Sequence, residues 1–118
     1  MRVLLATDRP DLGEALCLFL SEQRIDVVDV VADAHRLLAR AASVQADVVL
    51  VDWRLGAIVS TQAVADLQRG DARVPVIVLT TTQEQVRART SGAAAYATLG
   101  DPPDTLLAAL HEVARATS

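Results

Sequence analysis

Short runs of apolar, mostly β-branched residues alternate five times along this chain with stretches of helical periodicity, and that order admits few folds. RVLLAT (2–7), DVVDVV (26–31), DVVLVD (47–52), VPVIVLT (74–80) and AAYAT (94–98) read as strands. The first, third and fourth are apolar almost throughout, so both of their faces must be covered, as in a parallel sheet with helices on each side. The expected architecture is a doubly wound α/β fold, with one domain over residues 1–118.

The intervening segments carry helical stripes. In DLGEALCLFLSEQ (11–23), Leu12, Leu16, Phe19 and Leu20 share a face, and in DAHRLLARAAS (33–43) Ala34, Leu37, Leu38 and Ala41 follow the same spacing. STQAVADLQRG (60–70) offers Ala63, Val64 and Leu67 between a Ser60 or Thr61 cap and Gly70. TQEQVRART (82–90) is a shorter, weakly apolar fourth helix. PPDTLLAALHEVARA (102–116) sets Leu106, Leu107, Leu110, Val113 and Ala114 on one stripe behind two prolines suited to a helix start.

Composition removes several classes of function. No apolar run approaches the roughly 18 residues of a membrane span, and the N-terminus lacks the pattern of a secretory signal, so no membrane role and a cytoplasmic location are expected. The formal net charge is −4, which argues against direct nucleic-acid binding, because phosphate backbones are gripped by basic clusters. All 11 basic residues are arginines, and lysine is absent. Cys17, the single cysteine, allows no internal disulfide and falls in a helical apolar stretch, where a buried thiol is expected. His35 and His111 read as surface residues, and Trp53 as packing beneath the loop after the third strand.

Sites in doubly wound sheets form beyond the carboxyl ends of the strands. Here those ends carry Asp8, Asp52 and Thr80. Two carboxylates at one edge repel each other unless a cation lies between them or one is protonated. Mg2+, which prefers oxygen ligands and is commonly held by one or two carboxylates, is the natural cation. Asp52 could then act as a carboxylate nucleophile toward a phosphoryl group, with Thr80 hydrogen-bonding one of its oxygens. Structural roles compete for the same residues: Asp52 as a loop cap, Asp8 as the N-cap of a helix led by Pro10, Thr80 as a partner of strand-end backbone groups.

With these residues in this order, the chain from residue 2 to about residue 115 resembles the receiver domain of bacterial two-component response regulators, most closely receivers linked to helix-turn-helix output domains. The resemblance implies a flavodoxin-like (βα)5 fold with strand order 2-1-3-4-5. It implies Asp52 as the phospho-acceptor, and Asp8, Asp52 and the backbone carbonyl of Arg54 as magnesium ligands. Thr80 would be the phosphoryl-binding and switch hydroxyl, and Tyr96 the aromatic switch residue. Read without the resemblance, Tyr96 is equally a core or interface aromatic.

The chain also departs from the family pattern. Thr7 stands where the first acid of the strand 1 pair belongs, and Leu99 where the family has a lysine. Gly56 and Ala57 replace the usual proline and glycine, and Thr81 replaces a small residue. The segment from Thr80 to Gly92 is about three residues short, nearly one helical turn. A lysine to the phosphoryl group makes a charge-assisted bond typically worth about 1.5–3 kcal/mol. Losing an acid behind the metal commonly weakens its binding about 10 to 100-fold. Arg9 and Arg54 flank the two carboxylates in sequence and could supply a replacement cation; solvated surface arginines are the ordinary alternative.

The resulting expectation is an atypical receiver with impaired or absent aspartyl phosphorylation. It would not be an enzyme beyond self-phosphorylation of Asp52. Signalling would run through homodimerisation or partner docking on the fourth and fifth helices and fifth strand, and a DNA-binding output domain outside this chain would make it a transcriptional regulator. The alternative is a working receiver that takes a phosphoryl group on Asp52 from a histidine kinase with Mg2+. A pocket for a small ligand in place of phosphate is a third reading, and fold alone is weak support for it.

Overall fold

Five strands form one parallel sheet: β1 (Arg2–Ala6), β2 (Asp26–Val31), β3 (Val48–Asp52), β4 (Val76–Thr80) and β5 (Ala95–Thr98). Their spatial order is β2-β1-β3-β4-β5, the expected doubly wound topology. Among the described residues three helices are delimited, α1 (Pro10–Glu22), α2 (Ala34–Ser43) and α3 (Pro103–Thr117). The structure is a computed structural model that describes residues 1–53, 55, 67, 74–80, 95–98 and 100–117. The helical patterns at 60–70 and 82–90 lie outside the described residues, except for Leu67, which is helical and buried.

The unbroken apolar character of the central strands has its cause in this order. β3 and β4 are buried at every position, and β1 at all but Arg2. Side chains alternate between faces along each strand. Val3, Leu5, Val48, Leu50, Ile77 and Leu79 therefore face one way, and meet Leu16 and Leu20 of α1 and Leu106, Leu110 and Val113 of α3. Leu4, Ala6, Val49, Val51, Val76 and Val78 face the other way, against Leu37 and Ala41 of α2, with Leu67, Trp53 and Leu55. Burying one leucine of this kind stabilises the fold by about 1.5–3 kcal/mol.

Local signals set the ends of the elements. Pro10 occupies the first turn of α1, where its missing N–H is not needed. Arg24, with φ of 60°, turns the chain out of α1 and lets the Ile25 N–H bond back to the Leu20 carbonyl at 2.9 Å. Asp33 caps α2 by accepting a 2.8 Å bond from the Arg36 N–H. β4 begins at Val76, two residues later than the sequence suggests, because Pro75 has no N–H to give; its carbonyl still accepts from Val49 at 3.0 Å.

β2 is an outer strand and differs accordingly. Only Val31 is fully buried, and its pairing with β1 slips between Val3 and Leu4, so that Leu4 meets Asp29 and Val28 is skipped. Asp29 accepts from the N–H of Val30 at 2.8 Å and from Arg40 of α2 at 2.7 Å. His35 and His111 are exposed and Trp53 is buried, as expected.

Gly13 gives a test of the packing beside β1. A methyl group there would sit 3.5 Å from Thr7 Cγ2 and 3.8 Å from Val30 Cγ1, which is ordinary contact. Gly13→Ala should therefore stabilise the chain by about 0.5–1 kcal/mol through helix propensity, read as a raised urea midpoint at unchanged slope.

Candidate functional site

The register of the sheet brings the candidate residues to one edge. Ala6 pairs with Val51, which sets Thr7 beside Asp52, and Asp52 pairs with Leu79, one residue before Thr80. The Thr7 N–H continues the ladder to Val31 at 2.9 Å, and the Trp53 N–H does so to Leu79 at 2.8 Å. Asp52 and Thr80, at 2% and 1% exposure, are with Thr7 the buried polar side chains among the described residues. Asp8 is exposed.

A carboxylate this deep requires donors, since burying an unpartnered charge costs several kcal/mol. Three converge on its Oδ2 atom. Thr7 Oγ1 donates at 2.9 Å, Arg9 Nε donates at 2.8 Å, and a second guanidinium nitrogen of Arg9 stands at 2.8 Å. The Thr7 hydroxyl is engaged on both sides, because its oxygen also accepts the backbone N–H of Arg9 at 3.2 Å. Arg9 holds the N-cap position of α1 in extended backbone geometry, without a side-chain cap bond, and its side chain is half exposed. The turn from β1 into α1 thus delivers both the hydroxyl and the guanidinium.

This geometry decides between readings that the sequence leaves open. Arg9 is not a purely solvated arginine; it closes over Asp52. Asp8 is not the cap of α1, because Arg9 occupies that position, and among the described residues Asp8 makes no hydrogen bond. It lies in an open hollow of about 350 Å³, shared with Thr7, Arg9, Glu14, Cys17 and Val30. Tyr96 is in β5, paired with Val78 of β4. Arg54, Leu99, Gly56, Ala57 and Thr81 lie outside the described residues.

Magnesium would need oxygen lone pairs directed at it. Oδ2 of Asp52 already receives three donors, two from a cation, and the family's first acid is a hydroxyl that donates to that oxygen. Among the described residues no group of three or more histidine, cysteine or acidic side chains could hold a metal. With Arg9 in this position the described donors do not fit a divalent ion.

Sequence reasoning missed the active part of Thr7, which it treated only as a lost acid. The signal was a hydroxyl residue at a strand end two positions before an arginine. Trp53 is buried beside the site, and among the described residues its Nε1 finds no hydrogen-bond partner. Burial pushes the Cys17 thiol up from its ordinary value.

Comparison with known proteins follows the geometry. The family model described as the response regulator receiver domain matches residues 3–111. The receiver domain of a Francisella response regulator superposes with a TM-score of 0.86 at 22% identity, covering 99% of this chain and 98% of that one. The receiver domain of a sensor histidine kinase from Pseudomonas aeruginosa, with a magnesium ion coordinated in its active-site cleft, gives 0.88 at 22% identity and 97% coverage of both chains. The BeF3-activated N-terminal receiver domain of Klebsiella pneumoniae RstA gives 0.85 at 27% identity, with 98% and 99% coverage. No curated protein matches the chain.

Two outcomes test the site. Thr7→Val removes a buried donor at nearly constant volume and should cost about 1–3 kcal/mol by urea unfolding, while Thr7→Ser should cost less than half of that. The Cys17 thiol should react with Ellman's reagent more slowly than glutathione at pH 8. Its contribution to stability is full below the unfolded thiol's pKa and lost as pH rises through the higher folded value, so thermal midpoints should fall at the alkaline end in the wild type and less in Cys17→Ala.

Proposed function

Because this chain belongs to the response regulator receiver family, a module of two-component signal transduction, we propose that it works as an atypical receiver whose output does not depend on efficient phosphorylation of Asp52. One observation carries this reading: the acceptor carboxylate is engaged by Thr7 and by the Arg9 guanidinium. In an accepting receiver that carboxylate must meet a phosphoryl donor as a nucleophile, and donors on the attacking oxygen lower its reactivity. Here Asp52 serves instead as the anchor that fixes the turn between β1 and α1.

Signalling then runs through docking or homodimerisation. The surface proposed for it comprises the fourth helical segment, β5 and α3, of which β5 and α3 are described. On α3 His111 and Glu112 are exposed on this surface, where a two-fold contact between copies would bring the same patch of each together. In this reading the module sits in the cytoplasm and regulates transcription through a separate DNA-binding output domain.

The second reading keeps Asp52 as a phospho-acceptor supplied by a histidine kinase. The convergence of Thr7, Asp52 and Thr80 at one strand edge favours it, as does the magnesium in the cleft of the Pseudomonas receiver, with Asp8, Asp52 and the Arg54 carbonyl as ligands and Thr80 and Tyr96 as the switch pair. It requires Arg9 to leave Oδ2 first.

Intact-mass measurement after incubation with acetyl phosphate and magnesium separates the two. The expected result is no phosphoryl adduct on the wild type, together with a dimer by light scattering. A stoichiometric adduct absent from Asp52→Ala would overturn the first reading in favour of the second.

A further inference from the structure

We infer that Arg9 is a resident cation of this site, a tethered guanidinium that excludes divalent metal from Oδ2 of Asp52. The inference rests on the functional reading above only for the identity of the site, not for the fate of the carboxylate.

The geometry of one oxygen carries it. Oδ2 of Asp52 is approached by two guanidinium nitrogens at 2.8 Å and by the Thr7 hydroxyl at 2.9 Å. A metal ion binds through a lone pair, and these three donors take up those of Oδ2, the carboxylate oxygen turned toward the β1–α1 turn. The hydroxyl cannot turn its proton elsewhere without losing this bond, because its acceptor side faces the Arg9 N–H at 3.2 Å. Thr7 is thus matched to a cation that brings its own protons. An acid at that position would suit a bare ion instead.

Tethering strengthens the exclusion. Arg9 lies two residues beyond Thr7 and directly before Pro10, so its backbone is fixed by the end of β1 and the start of α1. Its charge is presented to Asp52 at an effective concentration that a free ion must exceed. The side chain is half exposed, and Arg9 lines the hollow that also holds Asp8 and Glu14. Truncating Arg9 takes the tethered cation of the β1–α1 turn away from Oδ2 of Asp52 and from the hollow that holds Asp8 and Glu14. Truncation should therefore create metal affinity rather than abolish it.

The test is a magnesium titration of the chain by isothermal calorimetry and by Trp53 fluorescence, on the wild type, Arg9→Ala, Arg9→Gln and Arg36→Ala. Arg36→Ala removes the same formal charge from an exposed pair with Asp33 and controls for long-range attraction. Saturable binding at least roughly 10-fold tighter than in the wild type is expected in the Arg9 variants alone. Methylguanidinium should bind those variants, raise their melting temperature and compete with magnesium. Equal magnesium affinity in wild type and Arg9 variants overturns the inference, as does the absence of both magnesium and methylguanidinium binding in a variant that circular dichroism shows to be folded. Arg9→Gln, which keeps a donor, covers the case in which Arg9→Ala fails to fold. A metal-free phosphoryl adduct on the wild type would defeat the functional reading and leave Arg9 as a resident cation.

Discussion

A negative charge enclosed at the end of a hydrophobic strand is the constraint around which this domain is arranged. Asp52 belongs to β3, the middle strand of the sheet, and every residue preceding it in that strand is buried. The charge cannot be hydrated there at the level of an open surface, so the chain must bring donors to it. Among the described residues three such donors come from one turn, the residues that follow β1, and they arrive because β1 lies alongside β3 in parallel. The adjacency of the two strands and the neutralisation of the carboxylate are therefore one structural fact seen at two scales.

The same logic connects core to site. Leu79 packs in the core on the side of α1 and α3, and its backbone faces Asp52 and receives the N–H of Trp53. Trp53 in turn packs in the core on the side of α2. The residues flanking the carboxylate are thus gripped by opposite halves of the core. Its position is thus tied to the packing on both faces of the sheet.

Much of this was legible in the sequence. Unalternating runs such as VVLV and VIVL specify strands covered on both faces, and with helical stripes between them they leave a doubly wound sheet as the consistent solution. The edge location of Asp52 and Thr80 follows from strand ends alone. What remained ambiguous were matters of side-chain direction. Arg9 next to a carboxylate in sequence is compatible with solvation or with pairing, and only the extended backbone at the N-cap of α1 turns it inward. Thr7 was harder still, since substitution of an acid by a hydroxyl reads as loss until its donor and acceptor directions are known. The competing structural role for Asp8, as the cap of α1, falls away for a related reason: Asp8 is a better capping residue by type, but the chain direction after β1 gives the position to Arg9.

The margin of the sheet at β2 has a bearing on how copies of the domain can meet. Its backbone donor at Val30 is already taken by the Asp29 side chain, which also holds Arg40, and the slipped register at Val28 bends the strand away from regular spacing. A foreign strand laid along that rim would find a donor missing, a local kink and a carboxylate in its path. Extension of the sheet into a continuous ribbon is thereby discouraged from this side.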